Sequence, residues 1–371
     1  MSAGGPVLGL RELNRALMAR QLLDSRSGMG ALPAVAHLVG IQAQAVRPPY
    51  VGLWTRLDGF ALDDLERLLL DRSVVRVALM RSTLHLVTAQ DCLALRPLLA
   101  EQLARVARGQ FGRQVAGVDL AELARLTTAL VEERPLGFAE LGERLQQAWP
   151  DRDAGALAQT ARNLVPLVQV PPRGLWGSTA PPTHTTVTSW LGQAEDTGPS
   201  LEDYVLRYLS AYGPASVQDM QKWSGLTRLQ AVVTRLAPQL RTSRDDRGRT
   251  LYDLAGAEPA EPDRELPVRY LSEFDDALLG HVDRRRVLAE EHGAQVFTTG
   301  GIIRATVLVD GFVAGTWRFE TSGSRPGITV RPFAPLPATT QAQLAEEGAR
   351  LLRAVDADTS DDPRVRFESP A

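Results

Sequence analysis

Cysteine is almost absent from this 371-residue sequence, since Cys92 is the only one. A single thiol excludes an internal disulfide, a four-cysteine iron–sulfur cluster and cysteine-rich zinc fingers. Lysine is equally scarce: Lys222 stands alone among 41 basic residues, which leaves 40 arginines. Schiff-base catalysis therefore has almost no candidate amine.

Histidine is sparse and scattered as well. The five histidines show no spacing typical of metal ligands; they are His37, His85, His184, His281 and His292. A site assembled through space stays open at this point, but we predict no metal and no cofactor.

Long apolar runs are also missing. No stretch reaches the roughly 20 residues that a membrane-spanning helix needs, and the first residues, with Arg11, Glu12 and Arg15, lack the apolar core of a signal peptide. We therefore expect a cytoplasmic protein with no membrane partner. The hydrophobic content of 44% is ample for a core, while the net charge of −3 means that any affinity for nucleic acid must come from a local basic surface.

The periodicity of the chain predicts three similar units, each made of helices followed by a β-hairpin. In the first unit, three helical segments between residues 10 and 70 precede β-branched runs at 74–80 and 83–88. The short connection Arg81-Ser82 joins these two predicted strands.

The second unit repeats this order. Asp119 and the acid three residues later resemble a capping box, and further helices are predicted at 138–145 and 154–164. Its hairpin would consist of residues 167–170 and 175–176.

The third unit begins with a predicted helix at 201–212. Ser216 and Thr227 are expected to cap the next two helices, and the turn of the hairpin is predicted at 245–249.

Helices followed by a hairpin are typical of winged-helix modules, in which a helix enters a DNA groove and the wing contacts the backbone or the minor groove. We therefore predict a mainly α fold with β-hairpin wings (α+β) and DNA as the leading partner. Winged helices that dock proteins remain an alternative. The predicted winged helices cover 9–90, 91–195 and 196–257, and a β-rich segment with a terminal helix covers 264–371.

The β-rich segment follows a charged, proline-containing linker at 258–267. Strands are predicted at 306–309 and 312–317 around Asp310-Gly311, a strong hairpin signal because a type I′ turn needs positive φ at both central residues. Another turn is predicted at 298–301. Asymmetric tandem units make a monomer the simpler expectation.

The most informative stretch is Gly40-Ile41-Gln42-Ala43-Gln44-Ala45-Val46-Arg47-Pro48-Pro49, where two glutamines lead into a cationic, proline-containing loop. In extended or turn geometry residues i and i+2 can project to one side, so Gln42 and Gln44 can converge on one small target. The tripeptide recurs at Gln341-Ala342-Gln343, but there it lies in a helical pattern that predicts a solvated face.

On these stretches the chain resembles the AlkZ-like (azinomycin-resistance type) family of bacterial winged-helix DNA glycosylases. The similarity extends over about residues 10–355. The matching stretches are 41–44, 80–87 with its Thr83-Leu84-His85-Leu86 core, 212–225, 274–284 and 307–317.

The resemblance implies tandem winged helices in a C-shaped arrangement around a DNA channel, with a glutamine–apolar–glutamine motif that contributes to base excision. By position, Gln42 and Gln44 are then the catalytic residues. Related glycosylases have aspartate at the second position, so Gln44 represents a neutral branch for which carboxylate base chemistry is in doubt. The resemblance also suggests that bulky adducts or interstrand crosslinks are accepted.

Two amides suffice for hydrolysis only if the substrate is already activated. An N7-alkylated purine carries a positive charge, so its departure yields a neutral base without a proton from the enzyme. We hypothesise that Gln42 and Gln44 hold the attacking water and aim their carbonyl dipoles at the developing sugar cation. The expected activity is that of a monofunctional DNA glycosylase in base excision repair that leaves an abasic site.

Several residues are candidates for contacts with double-stranded DNA that contains alkylated purines. They are Arg47, Arg81, His85, Arg284, Arg285, Arg286 and Arg304. His85 lies between two leucines, which also fits a structural histidine. Two other classes of protein remain open: a non-catalytic winged-helix DNA binder such as a transcriptional regulator, and a protein-interaction scaffold.

Overall fold

A computed structural model describes residues 5–192, 200–320, 327–355 and 364–370. The described chain has a mixed α+β fold with three β-sheets. The α-helices are α1 (Leu10–Arg20), α2 (Ala31–His37), α3 (Arg47–Arg56), α4 (Leu62–Leu70), α5 (Ala89–Leu98), α6 (Ala100–Phe111), α7 (Leu120–Glu133), α8 (Phe138–Gln146), α9 (Ala154–Leu164), α10 (Val187–Leu191), α11 (Leu201–Tyr212), α12 (Val217–Ser224), α13 (Gln230–Arg235), α14 (Gly293–Val296) and α15 (Ala338–Val355).

The strands are β1 (Val7–Leu8), β2 (Ile41–Gln42), β3 (Val74–Ala78), β4 (Leu84–Thr88), β5 (Leu167–Val170), β6 (Thr183–Thr186), β7 (Leu240–Asp245), β8 (Thr250–Leu254), β9 (Arg269–Leu271), β10 (Thr306–Val309), β11 (Phe312–Glu320), β12 (Gly327–Pro332) and β13 (Arg364–Phe367). Short 3-10 turns lie at Met80–Ser82, Ala237–Gln239, Asp276–Leu278 and Glu290–His292.

The sheet that carries the glutamine motif has the strand order β2-β4-β3-β5-β6. The predicted first hairpin is confirmed, since β3 and β4 pair antiparallel around the turn at Arg81-Ser82. Strand β5 pairs with β3, with Arg76 opposite Gln169. The first and second predicted units therefore share one sheet.

The predicted second hairpin is wrong in its second strand. β5 pairs with β6 at Thr183–Thr186, not with residues 175–176. Leu175 and Trp176 instead pack in a turn against the apolar core, where Trp176 meets the ring of Tyr50 edge to face. Their hydrophobicity reflects this packing and not a strand.

The helices of the second and third units follow the predictions, with two corrections. Asp119 does cap α7, and Ser216 caps α12 through the N–H of Asp219. Thr227 does not cap α13, because the chain turns at Arg228 (φ +63°) and the helix begins only after Leu229. Helices α5 and α6 were not predicted. The predicted boundary at 195/196 lies outside the described residues.

The hairpin of the third unit is confirmed. β7 and β8 pair antiparallel around the turn predicted at 245–249, and β1 extends this sheet as a parallel strand along β7. The predicted linker at 258–267 has no helix or strand. It is fixed to α1, where Arg15 donates hydrogen bonds to Arg264 O and to Asp310.

The C-terminal sheet has the order β13-β12-β11-β10-β9. Asp310 and Gly311 both have positive φ, +48° and +81°, as the predicted type I′ turn requires. Helix α15 buries Leu344, Leu351 and Leu352 against this sheet. Its Gln341 and Gln343 are partly and fully exposed, which confirms the solvated face.

The largest apolar core of the described residues joins all three units and the C-terminal segment. Tyr208, Tyr212 and Trp223 stack within it at ring-centroid distances of 4.9 to 5.3 Å. No helix in the described part of the chain is long and apolar enough to cross a membrane.

Candidate active site

The glutamine motif runs from an extended strand into a bend: β2 ends at Gln42, and Gln44 lies in the bend that follows. Gln42 ends strand β2 and lies opposite His85 of β4, while Ala43 N–H continues the ladder by donating to Leu84 O at 2.7 Å. The chain enters β2 through Gly40, whose φ is +96° and where a Cβ would come within 2.6 Å of Val87 Cγ1. Only glycine fits this tight approach.

The residues after the motif differ from the prediction of a loop. Arg47 begins helix α3, and the two prolines lie in its first turn. Proline is favoured there because its missing N–H has no helical acceptor.

A buried arginine fixes the backbone of the motif. Arg76, on β3 and 2% exposed, donates through Nη2 to Ala43 O at 2.7 Å and to Ala45 O at 3.3 Å. Burial lowers the pKa of Arg76 to about 10, with a further contribution from Arg173. Sequence reasoning missed this residue, although a charge inside the run Val74-Val75-Arg76-Val77 is a usable signal for a buried functional arginine.

The two side-chain amides are each fixed through their oxygens. Gln42 is 5% exposed, and its Oε1 accepts a hydrogen bond from Arg81 Nη2 at 3.0 Å. Gln44 is exposed, and its Oε1 accepts from Leu84 N–H at 3.1 Å. Since both partners can only donate, the assignment of oxygen and nitrogen in each amide is unambiguous.

A buried acid lies behind Gln42. Asp276, 4% exposed, accepts the Gln42 backbone N–H through Oδ2 at 3.2 Å. Burial and the neighbouring Asp275 raise the pKa of Asp276 to about 7, while Arg81, Arg56 and the Gln42 N–H act against this shift. Sequence reasoning missed this acid too; the acidic pair Asp275-Asp276 in a stretch matched to the family was the available signal.

The tip of the first hairpin is packed into the protein. Arg81 Nη1 donates to Trp223 O, and Ser82 Oγ donates to Asn163 Oδ1 at 2.6 Å. His85 is 0% exposed, its Nδ1 lies 3.0 Å from Thr83 O, and burial lowers its pKa to about 3. The complete burial of His85 contradicts its predicted contact with DNA. Arg81 is half-buried and has two internal acceptors, and its contact with DNA stays a prediction.

The three consecutive C-terminal arginines also have internal partners. Arg284 lies 4.0 Å from the Phe297 ring centroid and donates to Leu278 O. Arg285 is paired with Asp246 and Asp283, and Arg286, 3% exposed, donates to Pro214 O at 2.9 Å. The burial of Arg286 contradicts its predicted contact with DNA.

Two predicted cations remain exposed. Arg47 lies three residues beyond Gln44, with its guanidinium 5.3 Å from the Trp176 ring centroid and 5.6 Å from that of Phe319. The guanidinium of Arg304 donates to Gln295 O at 2.9 Å. Their contact with DNA stays a prediction. Among the described residues, no three histidine, cysteine or acidic side chains are grouped so that they could hold a metal ion.

Comparison with known proteins places this chain in a defined class. Residues 35–354 match the family model described as DNA glycosylase AlkZ-like, and the chain therefore belongs to the AlkZ-like DNA glycosylase family. It is 27% identical, over 366 residues, to the interstrand DNA cross-link repair glycosylase of Streptomyces sahachiroi, covering 91% of this chain and 94% of that protein. The solved structure of Streptomyces sahachiroi DNA glycosylase AlkZ shares the fold, with a TM-score of 0.75 at 22% identity over 98% of this chain and 100% of that one.

Proposed function

We propose that the protein is a monofunctional glycosylase that hydrolyses the N-glycosidic bond of N7-alkylated purines in duplex DNA. The observation that carries this proposal is the immobilised glutamine motif, in which Gln42 and Gln44 are held by Arg81 and by Leu84 N–H. Membership of a DNA glycosylase family favours an enzyme over a regulator or a scaffold.

The proposed reaction needs no acid for the leaving group. As the bond between C1′ and N9 breaks, its electron pair neutralises the cationic purine ring, and C1′ acquires oxocarbenium character. Water then adds to C1′ and loses one proton to solvent, which leaves an abasic site and a free base. The protein has to orient the water and stabilise the sugar cation.

The two amides differ in how well their oxygens can serve this reaction. Each carbonyl oxygen has two lone pairs, so each retains one acceptor position beyond its internal hydrogen bond. Gln42 Oε1 lies against a guanidinium, which weakens it as a partner for a cation, whereas Gln44 Oε1 lies against a neutral peptide N–H. We therefore assign the water and the sugar cation to Gln44. In the described part of the chain neither Nε2 has a hydrogen-bond partner, so both can donate to the substrate.

The test is release of free base from a duplex that contains one N7-methylguanine. Single-turnover rates are compared for wild type, Gln42→Ala and Gln44→Ala, and each variant should be slower by at least about tenfold. The second copy of the tripeptide offers a matched control, because Gln341→Ala and Gln343→Ala remove amides from α15 and should leave the rate unchanged. Wild-type rates in both motif variants would refute the catalytic assignment.

The monofunctional character rests on the scarcity of amines. Lys222, the only lysine, is exposed on α12, and the contacts of the motif do not include it. Borohydride should therefore trap no covalent complex with damaged DNA, and Lys222→Ala should release base at the wild-type rate. Efficient trapping would contradict a purely hydrolytic mechanism, and loss of trapping on blocking the N-terminal amine would identify the nucleophile.

We also propose that bulky adducts and interstrand crosslinks are substrates. Support comes from the Streptomyces sahachiroi relative, whose name describes interstrand cross-link repair, and from the exposure of Gln44. A duplex crosslinked through N7 of two guanines by a nitrogen mustard should separate into single strands on a denaturing gel after incubation. Release of N7-methylguanine without strand separation would restrict the substrate to monoadducts.

We further propose that residues 9–90, 91–195 and 196–257 act as tandem winged helices on DNA, in the C-shaped arrangement that the resemblance implies. Helices α11 to α13 followed by β7 and β8 have the required order. The first hairpin departs from a free wing because its tip packs against Trp223 and Asn163. DNA contact is thus expected from helix surfaces and from the exposed Arg47.

A further inference from the structure

Gln42 is anchored at two atoms by residues that lie far away in the chain. Asp276 is 234 positions further along and accepts the backbone N–H, while Arg81, 39 positions further along, donates to the side-chain oxygen. One anchor sets the position of the Gln42 main chain, and the other sets the rotation of its amide. Within the described residues the Nε2 atom of Gln42 has no hydrogen-bond partner, and it is not fully buried.

The guanidinium of Arg81 is suited to orient the amide of Gln42. Its guanidinium bridges two acceptors, Trp223 O at the end of α12 and Gln42 Oε1 on β2, from a hairpin turn where Arg81 and Ser82 both have positive φ. Because a guanidinium only donates, it forces the amide oxygen inward and the amide nitrogen outward. A surface cation for phosphate would be free to solvent, and Arg81 is not.

Asp276 is the acidic side chain near Arg81. The charged and titratable groups that face Asp276 are Asp275, Arg56, Arg81 and Tyr212. Arg56 is already bound by both oxygens of Asp275, at 2.9 and 2.8 Å. Burial lowers the pKa of Arg81, and the charge of Asp276 opposes this shift, so the two anchors of Gln42 interact through space without a direct ion pair among the described contacts.

We infer that Arg81 and Asp276 are positioning residues for Gln42, which together fix its amide with the carbonyl inward and the N–H groups outward. This inference rests on the proposed function, since it gives both residues an effect only through Gln42. It also replaces a phosphate contact as the role of Arg81.

A double-mutant cycle separates positioning from other roles. Arg81→Met and Asp276→Leu, which leaves no acceptor for the Gln42 N–H, should each slow single-turnover release of N7-methylguanine by at least about tenfold. Combined with Gln42→Ala, neither should slow the reaction beyond Gln42→Ala alone, because the side-chain amide that they position is gone. Duplex affinity and its salt dependence should stay at the wild-type values for Arg81→Met, whereas loss of a phosphate contact would lower the salt slope by about one.

Matched controls identify a merely structural loss. Arg269 is a buried arginine that donates to Val268 O, and Asp219 is a buried aspartate that accepts the N–H groups of Ser216 and Val282. Arg269→Met and Asp219→Leu should lower the melting temperature about as much as the test variants, yet leave the single-turnover rate unchanged at a temperature where all are folded. Equal slowing of controls and test variants would overturn the inference.

The two levels of the proposal fail in different ways. If Gln42→Ala releases base at the wild-type rate, the catalytic assignment of Gln42 fails. The double-mutant cycle then cannot measure positioning, because Gln42→Ala causes no loss of rate. If Gln42→Ala is slow but Arg81→Met and Asp276→Leu slow it further by their full single-variant factors, Gln42 is catalytic and the positioning inference is wrong.

Discussion

Arg76 of β3 lies directly opposite Gln169 of β5 in an antiparallel register. This pairing joins the hairpin of the first unit to the first strand of the second, so the sheet behind the glutamine motif is built from both units. The same Arg76 reaches from this sheet to the carbonyls of Ala43 and Ala45. The second unit thereby supports the geometry of a motif that lies more than a hundred residues earlier in the chain.

Arg76→Met should reduce activity far more than stability. In the described residues Arg76 has no carboxylate partner, and its Nε is buried without a hydrogen bond, so methionine removes a costly buried cation. It also leaves two carbonyls unpaired, at about 1–3 kcal/mol each if they stay buried. These effects oppose each other, so the free energy of unfolding should change by less than about 2 kcal/mol, while base release slows about 10- to 100-fold. Urea unfolding and single-turnover kinetics check both; a normal rate would show that Arg76 is not needed by the motif.

Local patterns predicted what is local in this fold. The β-branched run before Arg81 and the Asp310-Gly311 turn predicted two hairpins, because strand propensity and turn geometry are properties of neighbouring residues. The extended conformation of Gln42 and the bend at Gln44 are local features of the same kind.

What the sequence did not reveal depends on contacts between distant segments. Strand β6 was missed because it lies 13 residues beyond the end of β5, with an apolar turn between them that resembles a strand. Burial of Arg81 depends on Trp223 O, and the proximity of Asp276 to Gln42 depends on how the C-terminal part packs on the first unit. No periodicity within one segment encodes such neighbours.

Loss of Arg56 should be strongly destabilising. Both Arg56 and Asp275 are buried, and the guanidinium also donates to Gln21 O at 2.9 Å. Arg56→Met leaves the Asp275 carboxylate buried without its cation, which costs about 3–5 kcal/mol. Arg56→Met with Asp275→Asn should recover a large part of this loss, because the remaining group is neutral.

Urea unfolding measures both, with Arg67→Met as the control: its exposed pair with Asp64 is worth less than about 1 kcal/mol. A loss for Arg56→Met no larger than for the control would contradict the role of the pair.

Stability should fall as the solution is acidified below about pH 6. Burial lowers the pKa of His85 to about 3 and of His184 to about 4, against about 6.5 in an unfolded chain. Between these values the unfolded state binds more protons, so acid favours unfolding. Asp276 acts in the opposite direction, because its raised pKa lets the folded state bind a proton that the unfolded state releases.

His184 allows this pH effect to be isolated, since it stacks on Phe138 away from the glutamine motif. His184→Gln should lose stability less steeply than wild type between about pH 4.5 and 6, by about 1.4 kcal/mol per pH unit. Urea unfolding at a series of pH values gives the two slopes. Identical slopes would mean that His184 is protonated in the folded protein.

Arg47 should contact a DNA phosphate near the site of reaction. It is exposed and stands against Trp176 and Phe319 at the start of α3, whereas Arg285 is already neutralised by Asp246 and Asp283. Arg47→Ala should therefore lower the slope of log affinity against log salt by about one, and Arg304→Ala should do the same if its exposed guanidinium reaches the backbone.

Arg285→Ala provides the contrast, because a cation held by two carboxylates releases few counterions from DNA. Fluorescence anisotropy on an undamaged duplex across a salt series measures all three; a smaller slope for Arg285→Ala with an unchanged slope for Arg47→Ala would place the DNA on the C-terminal side and not beside the glutamines.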